Sequence, residues 1–272
     1  MYSRQINFWI LMSLTGLLAC SPLRVFAVEL EGYTEPYRTI RVATDETGVI
    51  DQIFVREGEA VPQGTPLVRL NNDVFQSLLA VAEQNMNARG RLESARAELE
   101  LKSERLKILQ SLREEGNARQ EEVDRARYEN AVAKANVQTV QEELLSRKLE
   151  YQKIKTQIDR RTIRAPISGV VSLIHKEQGE FVAPNSPETM TLVQLDQLLA
   201  YFTLTSQQAA QLHINDKINI SFKHNQTSTE GTIEYISPVT DAQSGTVLVK
   251  IRIDNQKGDF RSGERCTIQL ES

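Results

Sequence analysis

From Asp73 to Arg160 the sequence contains no proline and only two glycines, Gly90 and Gly116, while Glu, Arg, Ala, Leu and Gln dominate. That composition favours helix throughout, and a thin helix of such length has no core of its own. In the second part, Val123, Ala126, Asn130, Ala133, Val137, Val140, Leu144, Arg147, Tyr151, Ile154 and Ile158 fall at alternating steps of three and four, the a and d seam of a coiled coil. Only Asn130 and Arg147 are polar there. Phe75, Leu78, Ala82, Leu92, Ala95, Leu99, Leu106, Leu109 and Leu112 supply a facing stripe from the first part. Glu115-Gly116-Asn117 suits a left-handed helix stop and a tight reversal. The expected product is a hairpin of two arms, each of about 43 residues and on the order of 60–65 Å long. Asn71, Asn72 and Asp73 can cap its first helix, Arg160 and Arg161 favour the C-terminal dipole end of its second, and its outer faces are expected to be charged.

The helices separate two copies of one β pattern. Gly48-Val-Ile-Asp-Gln-Ile-Phe-Val-Arg-Glu-Gly58-Glu59-Ala-Val61 recurs as Gly169-Val-Val-Ser-Leu-Ile-His-Lys-Glu-Gln-Gly179-Glu180-Phe-Val182, with the glycines ten apart in both. Each copy closes on a second apolar run, Leu67–Leu70 and Leu192–Leu195, the later copy carrying about four extra residues around Pro184–Glu188. Gly48, Gly58, Gly169 and Gly179 are therefore read as turn residues, where glycine supplies positive φ. Beyond Leu199 the pattern changes to short strands at Leu199–Thr205, Lys217–Phe222, Thr232–Ile236, Val247–Ile253 and Cys266–Leu270, with a short helix at Ser206–Gln211. Such spacing suggests a small antiparallel barrel or sandwich, to which the segment Glu29–Thr47 adds one strand.

Composition removes several function classes. The net charge of -4 argues against binding to a phosphate backbone, so no nucleic-acid partner is expected. Arg4 followed by an apolar run from Ile6 to Ala19 reads as an export signal over residues 1–27, cleaved after Ala27. Two other readings stay open. Leu17-Leu18-Ala19-Cys20 can serve as a lipobox with Cys20 acylated, or the segment is retained as an anchor, although its apolar run is shorter than the roughly 20 residues that span a bilayer. Cleavage shifts the charge from -4 to -6 and leaves Cys266 as the single cysteine, expected as a small buried hydrophobe on a strand. His175, His213 and His224 share no metal-ligand spacing. No nucleophile elbow, phosphate loop or metal-binding helix is present, so no catalytic residue, cofactor or metal is assigned and the chain is not read as an enzyme.

Gly48–Leu70, the run Thr162-Ile163-Arg164-Ala165-Pro166-Ile167-Ser168-Gly169-Val170-Val171 and the closing Arg261-Ser262-Gly263-Glu264-Arg265-Cys266 together resemble the HlyD-type periplasmic adaptor, or membrane fusion protein, family over residues 29–272. The resemblance implies a mixed α and β fold: a split lipoyl-like β-sandwich interrupted by a long antiparallel coiled-coil hairpin and followed by a small antiparallel β-barrel. Its expected segments are 1–27 signal peptide, 28–44 strand joining the barrel, 45–71 first lipoyl-like half, 72–160 hairpin, 161–198 second half and 199–272 barrel. By the same resemblance the protein is an exported periplasmic subunit of a tripartite efflux or secretion system. Its partners would be an inner-membrane transporter, an outer-membrane channel and further copies of itself in a ring, commonly of six in the family, whose hairpins form a tube. The docking end is the hairpin tip, Leu112, Arg113, Gly116, Asn117, Ala118 and Arg119. Family members that dock on TolC-like channels carry an Arg, Leu and Ser pattern there; Ile108, Leu112 and Arg119 stand at those places, so only the Leu is kept. The chain stops at the end of the barrel, so the membrane-proximal domain of many resistance-nodulation adaptors is not expected. Lipoyl and biotin carriers share the sandwich but present a modifiable lysine between the halves, where this chain has its coiled coil. The other reading is an envelope scaffold or assembly protein whose hairpin meets a partner that is not an export channel.

Overall fold

A computed structural model describes residues 28–223 and 227–270. Its elements are β1 (Val28–Ala43), β2 (Gly48–Ile53), β3 (Ala60–Val61), β4 (Pro66–Leu70), α1 (Asp73–Asn87), α2 (Gly90–Glu114), α3 (Gln120–Arg160), β5 (Thr162–Arg164), β6 (Gly169–Ile174), β7 (Phe181–Val182), β8 (Glu188–Thr205), α4 (Ser206–Ala209), β9 (Lys217–Phe222), β10 (Thr227–Ile236), β11 (Thr246–Asp254) and β12 (Arg265–Leu270). The expected leader 1–27, with Cys20 and Ala27, lies outside the described residues, as does His224. Two compact units form. One is Arg38–Leu195; the other is the described part of Met1–Tyr37 together with Asp196–Ser272.

In the second unit β1, β12, β9, β10, β11 and β8 are neighbours in that order, and β8 pairs back onto β1. Six antiparallel strands thus close a barrel, which removes the free edges of the sheet. Register is fixed by pairs such as Val28 opposite Leu270 and Tyr201 opposite Lys250. Phe202, Leu204, Ile220, Phe222, Ile233 and Ile251 are fully buried and fill it. The Arg261–Cys266 motif seals one end: Thr34 Oγ1 donates to the Arg261 carbonyl at 2.9 Å, and the Gly263 N–H donates to the Thr34 carbonyl at 2.7 Å. Cys266 is free and buried, and burial pushes its thiol up to about 12. Several boundaries differ from the sequence reading, and the strand expected at Leu199–Thr205 is the end of β8, which runs unbroken from Glu188. β10 starts at Thr227 because its polar first residues pair with β9, Thr227 opposite Phe222, so cross-strand pairing extends it past the apolar run. α4 stops at Ala209, a single turn whose Gln208 N–H is capped by Thr205 Oγ1 at 3.3 Å.

In the first unit the two repeat halves exchange their hydrogen bonds. β2 pairs β7 with Gly48 opposite Val182, and β3 pairs β6 with Val61 opposite Gly169. The Gly58 N–H donates to the Val171 carbonyl at 2.8 Å and the Gly179 N–H to the Ile50 carbonyl at 2.9 Å; in return Val171 N–H donates to Glu59 and Ile50 N–H to Glu180, at 2.9 and 2.8 Å. Each glycine turn is closed by its own glutamate, since Glu59 accepts from the Arg56 N–H and Glu180 from the Glu177 N–H. Around this exchange β5, β4, β2 and β7 form one sheet, while β3, β6 and the start of β8 form the other. Ile50, Leu67, Leu70, Val171, Val182 and Leu192 interdigitate between them, all at or below 1% exposure.

The turn assignment holds for two of the four glycines. Gly58 and Gly179 have φ of 84° and 90°. Gly48 and Gly169 instead open strands β2 and β6, and they are glycine because something lies where a Cβ would go. At Gly48 that is the Arg161 guanidinium; at Gly169 it is the Val193 carbonyl oxygen, 2.6 Å away.

A Cβ at Gly58 or Gly179 would meet nothing within 4 Å, so the cost of a side chain there is backbone conformation alone. Gly58→Val and Gly179→Val are each expected to lower stability by about 1–3 kcal/mol, while Gly58→Asn costs much less because Asn tolerates the left-handed region. Urea unfolding of the three variants measures this directly.

Candidate functional site

The hairpin grows out of the sandwich at a clasp built on Arg161. This residue is 6% exposed and follows α3 directly. Its Nε donates to the Asn71 carbonyl at 2.8 Å and its Nη1 to the Thr47 carbonyl at 3.2 Å, while its guanidinium lies 4.6 Å from the centre of the Phe75 ring. Glu46 Oε2 stands 3.9 Å from Nη1. The Leu70 N–H donates to the Arg161 carbonyl at 2.9 Å, so the strand that leads into α1 and the residue that ends α3 are locked to each other. Arg160 lies outside this clasp and pairs with Asp45 and Glu46. Asn72, expected to cap α1, makes no side-chain cap; Asn71 Nδ2 instead holds the Asp73 carboxylate at 2.8 Å.

Above the clasp α3 is one unbroken helix of 41 residues, and every seam position read from its sequence is buried or half-buried. The facing arm differs from expectation in three respects. It is two helices, α1 and α2, separated at Ala88 and Arg89. Leu78 is 48% exposed, and Leu79 takes the inward place. Between Leu99 and Leu106 the seam is filled by Lys102, whose Nζ is 3.0 Å from Glu129 Oε2 and holds that carboxyl below the usual range. Asn130 leaves its Oδ1 buried with no hydrogen-bond partner among the described residues.

The outer faces are not uniformly charged, which corrects the sequence reading. Val74, Leu78 and Val81 on α1, and Leu101 and Ile108 on α2, are 48–68% exposed. Their spacings of three, four and seven place each group on one stripe, and Val81 is turned about 100° from the buried Ala82. On α3, Tyr128, Val132, Leu145 and Leu149 are 57–73% exposed, turned away from the buried Ala126, Ala133 and Val140. Each arm therefore buries one apolar stripe against its partner arm and shows a second to the outside. Periodicity alone misses the second stripe, because its members are interleaved with charges and the first stripe already explains the helix.

The tip is a Schellman turn. The Asn117 N–H donates to the Leu112 carbonyl at 2.7 Å and the Gly116 N–H to the Arg113 carbonyl at 3.0 Å, with Gly116 at φ 84°. The Arg119 N–H then donates to Glu122 Oε2 at 2.9 Å and starts α3. The turn brings all six expected tip residues together. Arg113, Gly116, Asn117 and Arg119 are exposed; Leu112 and Ala118 are half-buried, so Leu112 serves the turn as well as the surface. The histidines are scattered: His175 Nε2 meets Thr191 Oγ1 at 2.8 Å, and His213 sits beside Asp216. Among the described residues no group of three metal-ligating side chains gathers, and no helix is long and apolar enough to cross a membrane.

Residues 41–189 match the family described as YknX, barrel-sandwich hybrid domain, and residues 202–272 match the CusB-like β-barrel domain. Similar curated proteins include the cobalt-zinc-cadmium resistance protein CzcB of Cupriavidus metallidurans (23% identical, covering 86% of this chain and 42% of that one). The nodulation protein NolF of Rhizobium meliloti (25%, 87% and 61%) and the multidrug resistance protein MdtE of Escherichia coli (24%, 94% and 67%) are also similar. The chain thus spans 42% of the length of CzcB and 61% of that of NolF. In fold it is similar to MacA from Actinobacillus actinomycetemcomitans (18% identical, TM-score 0.78, covering 89% of this chain and 78% of that one). It is also similar to the membrane fusion protein Spr0693 from Streptococcus pneumoniae (17%, TM-score 0.61, 90% and 99%).

Since the clasp satisfies two backbone carbonyls with one buried cation, Arg161→Met is expected to destabilise the sandwich by about 2–4 kcal/mol. Arg161→Lys recovers only part of this, because an ammonium cannot span both carbonyls and stack on a ring. Urea midpoints for the two variants measure the difference.

Proposed function

The chain belongs to the YknX-type barrel-sandwich hybrid family, among the HlyD-type membrane fusion proteins, and we propose that it is the periplasmic adaptor of a tripartite efflux or secretion system. In this reading it is exported, links an inner-membrane transporter to an outer-membrane channel, and acts as a connector without catalysis. The observation that carries the reading is the hairpin itself: two arms anchored on a rigid sandwich by Arg161 and ending in a compact turn that presents Arg113 and Arg119 at an exposed point. A side chain at such a tip has no structural duty to the sandwich, so its exposed cations are available to another protein. The second apolar stripes support a ring of copies. They lie away from each arm's own partner, so one copy can cover them only by setting a neighbour alongside. Two different stripes, one per arm, favour a head-to-tail contact that closes by rotation.

Because tip contacts repeat around a ring, a small loss per subunit is multiplied in the assembly. Arg113→Glu combined with Arg119→Glu reverses both exposed cations and spares the half-buried Leu112. The double variant is expected to keep the parent's melting temperature while abolishing export-dependent resistance or secretion and cross-linking to an outer-membrane channel. Full transport by a stably folded double variant would make the envelope-scaffold reading the better one.

A further inference from the structure

The first arm is broken and the second is not. α1 ends at Asn87 and α2 begins at Gly90, whereas α3 passes the same level as a continuous helix. Ala88 has ψ of 89°, outside the helical range, and Arg89 supplies no side-chain cap to α2. The joint is weakly sealed. The Asn85 carbonyl freed by the break accepts from the Ala88 N–H at 3.4 Å and from Arg147 Nη1 at 3.4 Å, both long. Residues 87–91 are all exposed, and a Cβ at Gly90 would touch nothing within 4 Å. Just past the joint, Arg91 Nη1 is tied to Glu143 Oε2 at 2.6 Å. Arg147, one of the two polar residues in the α3 seam, thus stands opposite a carbonyl that the break frees on the facing arm.

We infer that residues 88–89 form a bending joint in the stalk, latched by Arg147. A pair of antiparallel helices resists bending in the plane of its two axes, because one arm must lengthen while the other shortens. Two residues outside the helices relieve that constraint on one side, Ala88 with ψ of 89° and Arg89 with φ of -92° and ψ of -7°. Between helical and extended conformations they change the length of the first arm by roughly 4 Å, which at a helix separation of roughly 9 Å corresponds to a tilt of roughly 20–25°. Since α2 extends 25 residues beyond the joint, such a tilt moves the tip by on the order of 10–15 Å. The sandwich and α1 stay fixed while the distal hairpin swings, and α3 bends smoothly as the uninterrupted leaf. Asn87 and Gly90 on either side of the joint are poor helix formers, which keeps the two pieces from fusing. This inference does not rest on the adaptor reading and is tested without a partner.

The test is the distribution of distances between spin labels in the full chain. Labels at Ser77→Cys and Ser103→Cys, both exposed, span the joint; labels at Ser94→Cys and Ser111→Cys lie within α2 alone. The background carries Cys20→Ser, and the buried Cys266, its thiol pushed up to about 12, stays unlabelled. Across the joint the distribution is expected to be at least twofold wider than within α2. Asn87→Ala with Gly90→Ala should narrow it to the width seen in α2, and Arg147→Leu should widen it further. Equal widths for the two label pairs, or no response to the paired alanines, would overturn the joint. No response to Arg147→Leu would overturn the latch.

Discussion

One buried guanidinium holds the architecture together. Arg161 sits where the helices return to the sheet, and its reach to Asn71 and Thr47 joins the residue that ends α3 to the segments that precede α1 and β2. A long lever fixed to a small β-domain loads its attachment point, and apolar packing at a strand-to-helix corner resists tilting poorly because it is non-directional. Hydrogen bonds from a planar cation to two carbonyls, with a ring stacked on the cation, are directional in three different senses. The absence of a side chain at Gly48 follows from the same requirement, since the guanidinium occupies the space that a Cβ would need.

The sandwich shows how a repeat becomes a single domain. Neither half is a folding unit, because the turn glycine of each donates into the first strand of the other and the first glycine of each pairs the other's closing valine. The repeat behind this reciprocity was legible in the sequence as the shared spacing of Gly48 to Gly58 and Gly169 to Gly179, but the exchange of bonds between the copies was not. The distinction between turn glycines and close-approach glycines was not legible, because Gly48 and Gly169 are required by neighbours distant in sequence, Arg161 and Val193. The long helices, their reversal at Gly116 and the α3 seam were equally plain, since they depend on local periodicity.

Other features were hidden because they depend on the opposite arm. Arg147 reads as a flaw in the seam until the break at Ala88 is seen across from it, and Lys102 reads as a surface charge until Glu129 is found beside it. Leu78 and Leu79 differ by one step around a helix, which a three-and-four pattern with gaps does not resolve. The second apolar stripe was missed for a different reason. One stripe at three-and-four spacing is enough to account for a helix, so a second stripe on the outer face adds no signal of its own.

The exchange of bonds between the halves also fixes an order of events for the folding chain. Gln63 N–H reaches Ser168 Oγ across a sequence separation of 105 residues, and the pairs beside it close loops of similar length. During synthesis the first half therefore emerges long before its complement, with the edges of its short strands unpaired. Left alone, such edges invite pairing with another chain. The intervening segment offers a remedy, since helix and hairpin contacts are local and form quickly. Once α3 lies back along α1 and α2, Arg69 and Thr162 are brought opposite each other and the loop-closure entropy of the sandwich has largely been met. The stalk is thus its own folding scaffold, and a lesion along its seam should appear first as misassembled β-structure at its foot.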